Sequence, residues 1–342
     1  MNVRQVIPRD AIPAIDDPVF GRTHAGEPTD EVIVVDPADA PARAYPVRIL
    51  DYHEVVNDEY EDGPVAVTWC PLCASAVVYD AVVDGTPLTF GVSGKLADDD
   101  LVVYDRQTDS EWKQSSGHCI DGPLEGSRLR PRTATMTTVA TFTDRYPDGR
   151  ILQPVPDAES EAASDDDDPA PVDYSERPYA GYFSSDAVGL AGHRGGENDR
   201  TWERDDLDPK AIVLGIEREG EACGVPRPWV RDHGGTVTTT VGETPVLVVA
   251  SDLGLHAFEL PHPNPGSDST VDADLEWSLE TATDTGTSDD SENDPVLIGD
   301  GTTWDLVTGR GADGRHLEAL PVKRLFAFAW ADDHGDDAFL EL

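Results

Sequence analysis

Cys70 and Cys73 stand either side of Pro71-Leu72 in the stretch VAVTWCPLCASAVVYDA, residues 65–81. Two thiols at this spacing suit three kinds of chemistry. A redox pair of the thioredoxin kind opens a helix, whose positive end lowers the thiol pKa and makes the first cysteine reactive. Here the residues that follow, ASAVVYDAVV, are β-branched and close to alternation, so a strand is expected and that means of activation is missing. A metal site needs soft ligands that converge, and one turn carrying two thiolates supplies half of a tetrahedral set. His53, in DYHEVVND, is the candidate nearest in sequence for a third ligand beside Cys70 and Cys73. Copper or zinc is the expected ion, because thiolates do not select Mg²⁺ or Ca²⁺. In the third case the cysteines pack as small apolar side chains and Pro71 shapes a strand-to-strand turn. The sequence therefore supports a metal-binding protein first, with a thiol–disulfide oxidoreductase and a non-catalytic binding scaffold beside it.

The elements that would position these groups are short strands. EVIVVD (31–36), PVAVTW (64–69), SAVVYDAVV (75–83), PLTFGVSG (87–94) and DLVVYDR (100–106) are rich in Val, Tyr and Phe and are punctuated by Gly, Pro and Asp. One helix is expected in TTVATFTDRYP (137–147), where Met136, Val139 and Phe142 recur every three residues and Pro147 stops the run. Polar residues on and between these elements define a possible pocket: Glu54, Asn57, Ser93, Tyr104, Asp105, Arg106 and Trp112. Asp105 and Arg106 suit a buried ion-pair network, and Arg106 alternatively holds a carboxylate or phosphate. GVSGK is too short for a phosphate loop and GxSxG is absent, so no nucleotide cofactor and no nucleophile elbow are indicated. Cys119 and Cys223 stand alone, and four cysteines in 342 residues make no disulfide framework.

The chain also resembles itself. VIVV…ARAYPVRILDYH…GPVAVTW is answered by AIVLGI…EACGVPRPWVRDH…TPVLVVA, and the Pro46–His53 spacing recurs as Pro226–His233. Where the first copy has WCPLCASAVVY, the second has ASDLGLHAF, so the cysteine pair is not needed to form the unit. The expected fold is mainly β with a few short helices (α+β), a tandem duplication of a short-stranded antiparallel unit. Residues 1–30 form an extension, 31–156 the first unit and 157–173 an acidic linker. Residues 174–342 hold a joint, where Tyr179 and Tyr182 pack the halves together, and a cysteine-poor second unit with an acidic insertion near 264–295.

ARAYPVRILDYHEVVND, VTWCPLC, LTFGVSGKL, DLVVYDRQTDSEWKQ and GPLEGSRL, in this order, resemble the DUF3179 family. The resemblance is close over residues ~30–150 and looser elsewhere. It implies a domain of undefined function and assigns no activity to any residue.

Composition describes the solvent. Lys+Arg is 25 against Asp+Glu 68, a net charge of −43, and the only lysines are Lys95, Lys113, Lys210 and Lys323. Such a chain repels itself in dilute salt, whereas a Debye length of ~3 Å at molar salt removes most of that cost. A halophilic protein of a high-salt cytoplasm is expected. The prolines of MNVRQVIPRDAIPAIDDP interrupt any signal-peptide core, and no apolar run is long enough for a membrane span. The charge disfavours nucleic acid and anionic membrane as partners, leaving a metal or small molecule. The thermal midpoint should fall steadily as KCl is withdrawn from molar to millimolar; a midpoint independent of salt would contradict this.

Overall fold

The computed structural model describes residues 1–164, 168–195, 200–260, 276–281 and 294–341. Most of the acidic insertion near 264–295 lies outside the described residues. The fold is mainly β, and its helices are short. Among the described residues no helix is long and apolar enough to cross a membrane.

A seven-stranded sheet carries the cysteine turn. Its order is Glu221–Pro226, Ile212–Arg218, Lys323–Phe326, Ser75–Asp80, Gly63–Cys70 and Val55–Tyr60, with Arg130–Pro131 also paired to Ser75–Asp80. Gly63–Cys70 and Ser75–Asp80 are buried over nearly their whole length, which is why they read as almost continuous apolar runs. Strands from both halves of the chain meet in this sheet, at the antiparallel pair Arg324–Ala76. A second sheet runs Val3–Gln5, Phe90–Ala97, Asp100–Asp105, Glu111–Lys113 and Cys119–Asp121. One apolar cluster joins the two, with Trp69, Val77 and Tyr79 from the first and Phe90, Val103 and Trp112 from the second.

Residues 1–30 are woven into this body. Val3–Gln5 pairs with Phe90–Ala97, Ile15 bridges Val56, and Phe20–Gly21 pairs with Arg150–Leu152. The expected helix forms over Val139–Arg145, and the side chain of Thr138 caps it by accepting from Thr141 N. The stretch expected as an acidic linker departs from a solvated tether. Glu159–Ser160 pairs with Ala170–Pro171, and Glu161 is buried with its backbone N–H on Ala11 O at 2.9 Å.

The element order of the first half recurs. Two strands, a short helix after a proline and a three-stranded antiparallel meander occupy 31–80, and the same series occupies 212–259. The hairpins differ at their tips: Cys70–Ser75 closes a four-residue turn, Ser251–Gly254 a two-residue one. At the end of the chain the helix Ala327–His334 lays Trp330 on the facing pair Gly215–Gly224, so close that a Cβ at either glycine would run into the indole. Gly215→Ala should therefore destabilise the protein by about 1–3 kcal/mol in denaturant unfolding; an unchanged midpoint would mean that Trp330 has room to move.

Candidate metal centre

The turn Pro71–Ala74 ends one largely buried strand and starts the next, so a strand, not a helix, follows Cys73. Ala74 closes it at φ 45°, a left-handed conformation uncommon for a residue with a Cβ. Contacts from distant parts of the chain hold it there. Tyr182 donates its hydroxyl to Leu72 O at 2.6 Å, and Phe326 N donates to Cys73 O at 2.7 Å. The Cys73 thiol points toward Asp99 O at 3.4 Å.

Asp98 and Asp99 form the two-residue tip between Phe90–Ala97 and Asp100–Asp105, both with positive φ as a type I′ hairpin turn requires. That tip delivers Asp100 to the cysteines. The thiol sulfurs of Cys70 and Cys73 and a carboxylate oxygen of Asp100 all lie within 4.8 Å of one another, and all three residues are buried. One Asp100 oxygen accepts from Ser115 N at 2.8 Å; the other, Oδ1, has no hydrogen-bond partner among the described residues.

Electrostatics keep the two thiols protonated in the absence of a metal ion. Burial pushes the Cys70 thiol up, and burial together with the neighbouring Cys70 pushes Cys73 well above its ordinary value. Burial raises Asp100 to about 6, against the pull of the Lys113 ammonium. Lys113 is itself held 2.6 Å from Asp333 Oδ1, with both side chains 6 % exposed. Two further carboxyls are buried nearby: burial raises Asp51, which accepts from Trp69 Nε1, to about 7, and Glu54 to about 8.

His53 is placed elsewhere. Its Nδ1 meets Pro13 O at 2.8 Å and its Nε2 the Tyr174 hydroxyl at 2.7 Å, so both ring nitrogens are engaged away from the thiols. The third donor beside the cysteines is Asp100. Of the expected pocket residues, Glu54 lines a cavity of about 590 Å³ that Cys70 also borders. The others have structural partners. Asn57 bonds both the N–H and the carbonyl of Phe90, tying Val55–Tyr60 to the second sheet. Ser93 bonds Val102 O at the bulge in Phe90–Ala97. Tyr104 donates to Asp10 at 2.7 Å, and Trp112 Nε1 to Asp105 at 3.0 Å. Asp105 also ties down the Thr108 turn, and Arg106 pairs with Asp16 rather than with Asp105.

No curated protein and no solved structure matches the chain. A family profile described as a protein of unknown function (DUF3179) matches residues 9–337. With nearly the whole length matched and both halves inside the match, the chain belongs to the DUF3179 family.

Proposed function

We propose that the protein binds a copper or zinc ion through Cys70, Cys73 and Asp100. The observation that carries this reading is the convergence of two thiols and a carboxylate within 4.8 Å in a buried site. Zinc–sulfur bonds of about 2.3 Å at the tetrahedral angle put two thiolates roughly 3.8 Å apart, a small adjustment from this arrangement. Two thiolates and a carboxylate suit zinc with one open position, and the two thiolates alone suit Cu(I). Lys113 faces the negative charge that such a site gathers. Metal binding would reverse the protonation of the thiols, since the ion stabilises the thiolate far more than burial opposes it.

The thiol–disulfide alternative is less well supported. A strand follows Cys73, and burial raises both thiols, whereas a reactive cysteine needs a depressed pKa. The recurrence of the element order supports a duplicated unit in which the longer Cys70–Ser75 turn is a local addition. A unit that folds with the two-residue turn at Ser251–Gly254 leaves the cysteines free for a role other than holding the hairpin.

The test is metal content by mass spectrometry on protein purified in high salt without chelator. Wild type should carry about one equivalent of copper or zinc. Cys70→Ser/Cys73→Ser should lose it and Asp100→Asn should weaken it by about tenfold to a hundredfold, while His53→Ala should retain it. Wild-type protein without metal, even after reconstitution under reducing conditions, would overturn the reading. Loss on His53→Ala with Asp100→Asn unaffected would overturn the ligand set.

A further inference from the structure

The cavity beside Cys70, about 590 Å³, lies in the size range of sites for small organic molecules. Ile7, Ile12, Val92, Leu96, Leu101 and Leu190 give it an apolar wall. The cations that reach it are matched. Lys95 donates to both carboxylate oxygens of Glu111 at 2.7 and 2.8 Å, Arg177 pairs with Asp30 at 3.2 Å, and Arg194 pairs with Glu161.

Glu54 is different. It is 7 % exposed and lines the cavity, yet its carboxyl makes no hydrogen bond or ion pair with any described residue. A buried carboxyl in that condition is costly. Its backbone adds to the cost: Glu54 sits at φ 57°, a left-handed position that glycine or asparagine fills with less strain. Val55–Tyr60 begins at the next residue, and Trp69 N donates to Glu54 O at 2.8 Å, so the strained residue is fixed by the sheet. An unpaired carboxyl, strain and burial at one cavity-lining residue are a combination found where a ligand completes the environment. The like charges of Glu161, Asp100 and Asp51 add to the effect of burial on this carboxyl, and a bound cation would relieve both.

We infer that the cavity is a binding site for a small organic molecule carrying an amino or other cationic group, with Glu54 as its anchor. The cationic group is held by the Glu54 carboxylate and the remainder lies along the apolar wall. The site stands on Glu54 and the cavity, and does not require a metal at the thiols. Because Cys70 borders the same cavity, a molecule seated there lies beside the cysteine turn.

The test uses the full chain in molar KCl with two probes of one shape, n-butylammonium and the neutral butan-1-ol, followed by saturation-transfer NMR. Saturable binding of the ammonium is expected, with the alcohol at least about tenfold weaker. Glu54→Gln, which keeps the shape and removes the charge, should weaken the ammonium by about tenfold or more and leave the alcohol unchanged. Leu190→Trp, which narrows the cavity from its apolar wall, should weaken both probes, and a thermal melt of each variant verifies its fold. Equal affinity for the two probes, ammonium binding undiminished in Glu54→Gln, or no saturable signal from either would overturn the inference. Metal content measured on the same samples separates this outcome from that of the metal site, since Glu54→Gln should leave it unchanged.

Discussion

Glu54→Gln is expected to make the protein more stable at pH 8 than wild type, by on the order of 2–4 kcal/mol, and to have little effect near pH 5. Burial raises the Glu54 carboxyl from 4.5 to about 8 and the Asp51 carboxyl from 3.8 to about 7. An acid whose pKa is higher in the folded state keeps a proton that the unfolded chain has already released. Its contribution therefore falls as pH rises through the unfolded value and levels off above the folded one. Wild-type stability should decline between about pH 4.5 and pH 8, opposite to the trend set by salt-bridged carboxylates such as Asp30. Arg48 and His24 help hold Asp30 at about 2 although burial opposes them, and its contribution is lost only as pH falls from 3.8 toward that value. Asp51→Asn should remove part of the same decline while keeping an acceptor for Trp69 Nε1. Denaturant midpoints at pH 5 and pH 8 measure this. Parallel pH profiles for wild type and Glu54→Gln would show that Glu54 is ionised and satisfied in the folded protein. A residue whose neutralisation stabilises the fold is one whose carboxyl is retained for something other than stability.

The second large effect belongs to Lys113. Its ammonium lies 2.6 Å from Asp333 Oδ1, in contact with a helix some two hundred residues away in sequence, and Ser115 Oγ donates to the other oxygen of that carboxylate. Burial pulls the Lys113 ammonium down, yet Asp333 and Asp100 hold it above the ordinary lysine value. Lys113→Met leaves two carboxylates buried without their cation, and should cost about 3–5 kcal/mol in denaturant unfolding. Adding Asp333→Leu should restore much of the loss, because removing both partners of a buried pair is far less damaging than removing one. A loss under about 1 kcal/mol, or no recovery in the double variant, would mean that water reaches the pair. The pair pins Glu111–Lys113 to Ala327–His334, which Trp330 seats on Gly215 and Gly224. The cysteine turn is thus supported from the end of the chain as well as from its own hairpin.

The hairpin, its turn and its neighbours were legible because they are local. Alternating β-branched residues around a proline specify two strands and a turn, and the three-residue period of Met136, Val139 and Phe142 with Pro147 as a stop specifies a helix. The absence of a helix after Cys73 was equally a local matter. The family resemblance, close over ~30–150 in its quoted motifs, extends through 9–337. The acidic stretch after residue 157 read as solvent-facing because its charges hide the one segment, Glu159–Ala163, that docks against residue 11 and lines the cavity.

What the chain by itself determined, then, is a β hairpin whose tip carries two thiols. Tertiary structure alone decided which donor joins them and what lies alongside. His53 and Asp100 are both close to a cysteine-bearing strand in sequence or space, but the turn after Val47–Leu50 carries His53 to Pro13 and Tyr174. The Asp98-Asp99 tip instead brings Asp100 in from a separate sheet. Among 68 acidic residues one that converges on two thiols has no compositional signal. Asp100 and Glu54 are each buried with a carboxyl oxygen that no described residue bonds, and both burial and the lack of a partner are properties of the packed sheets rather than of any stretch of sequence.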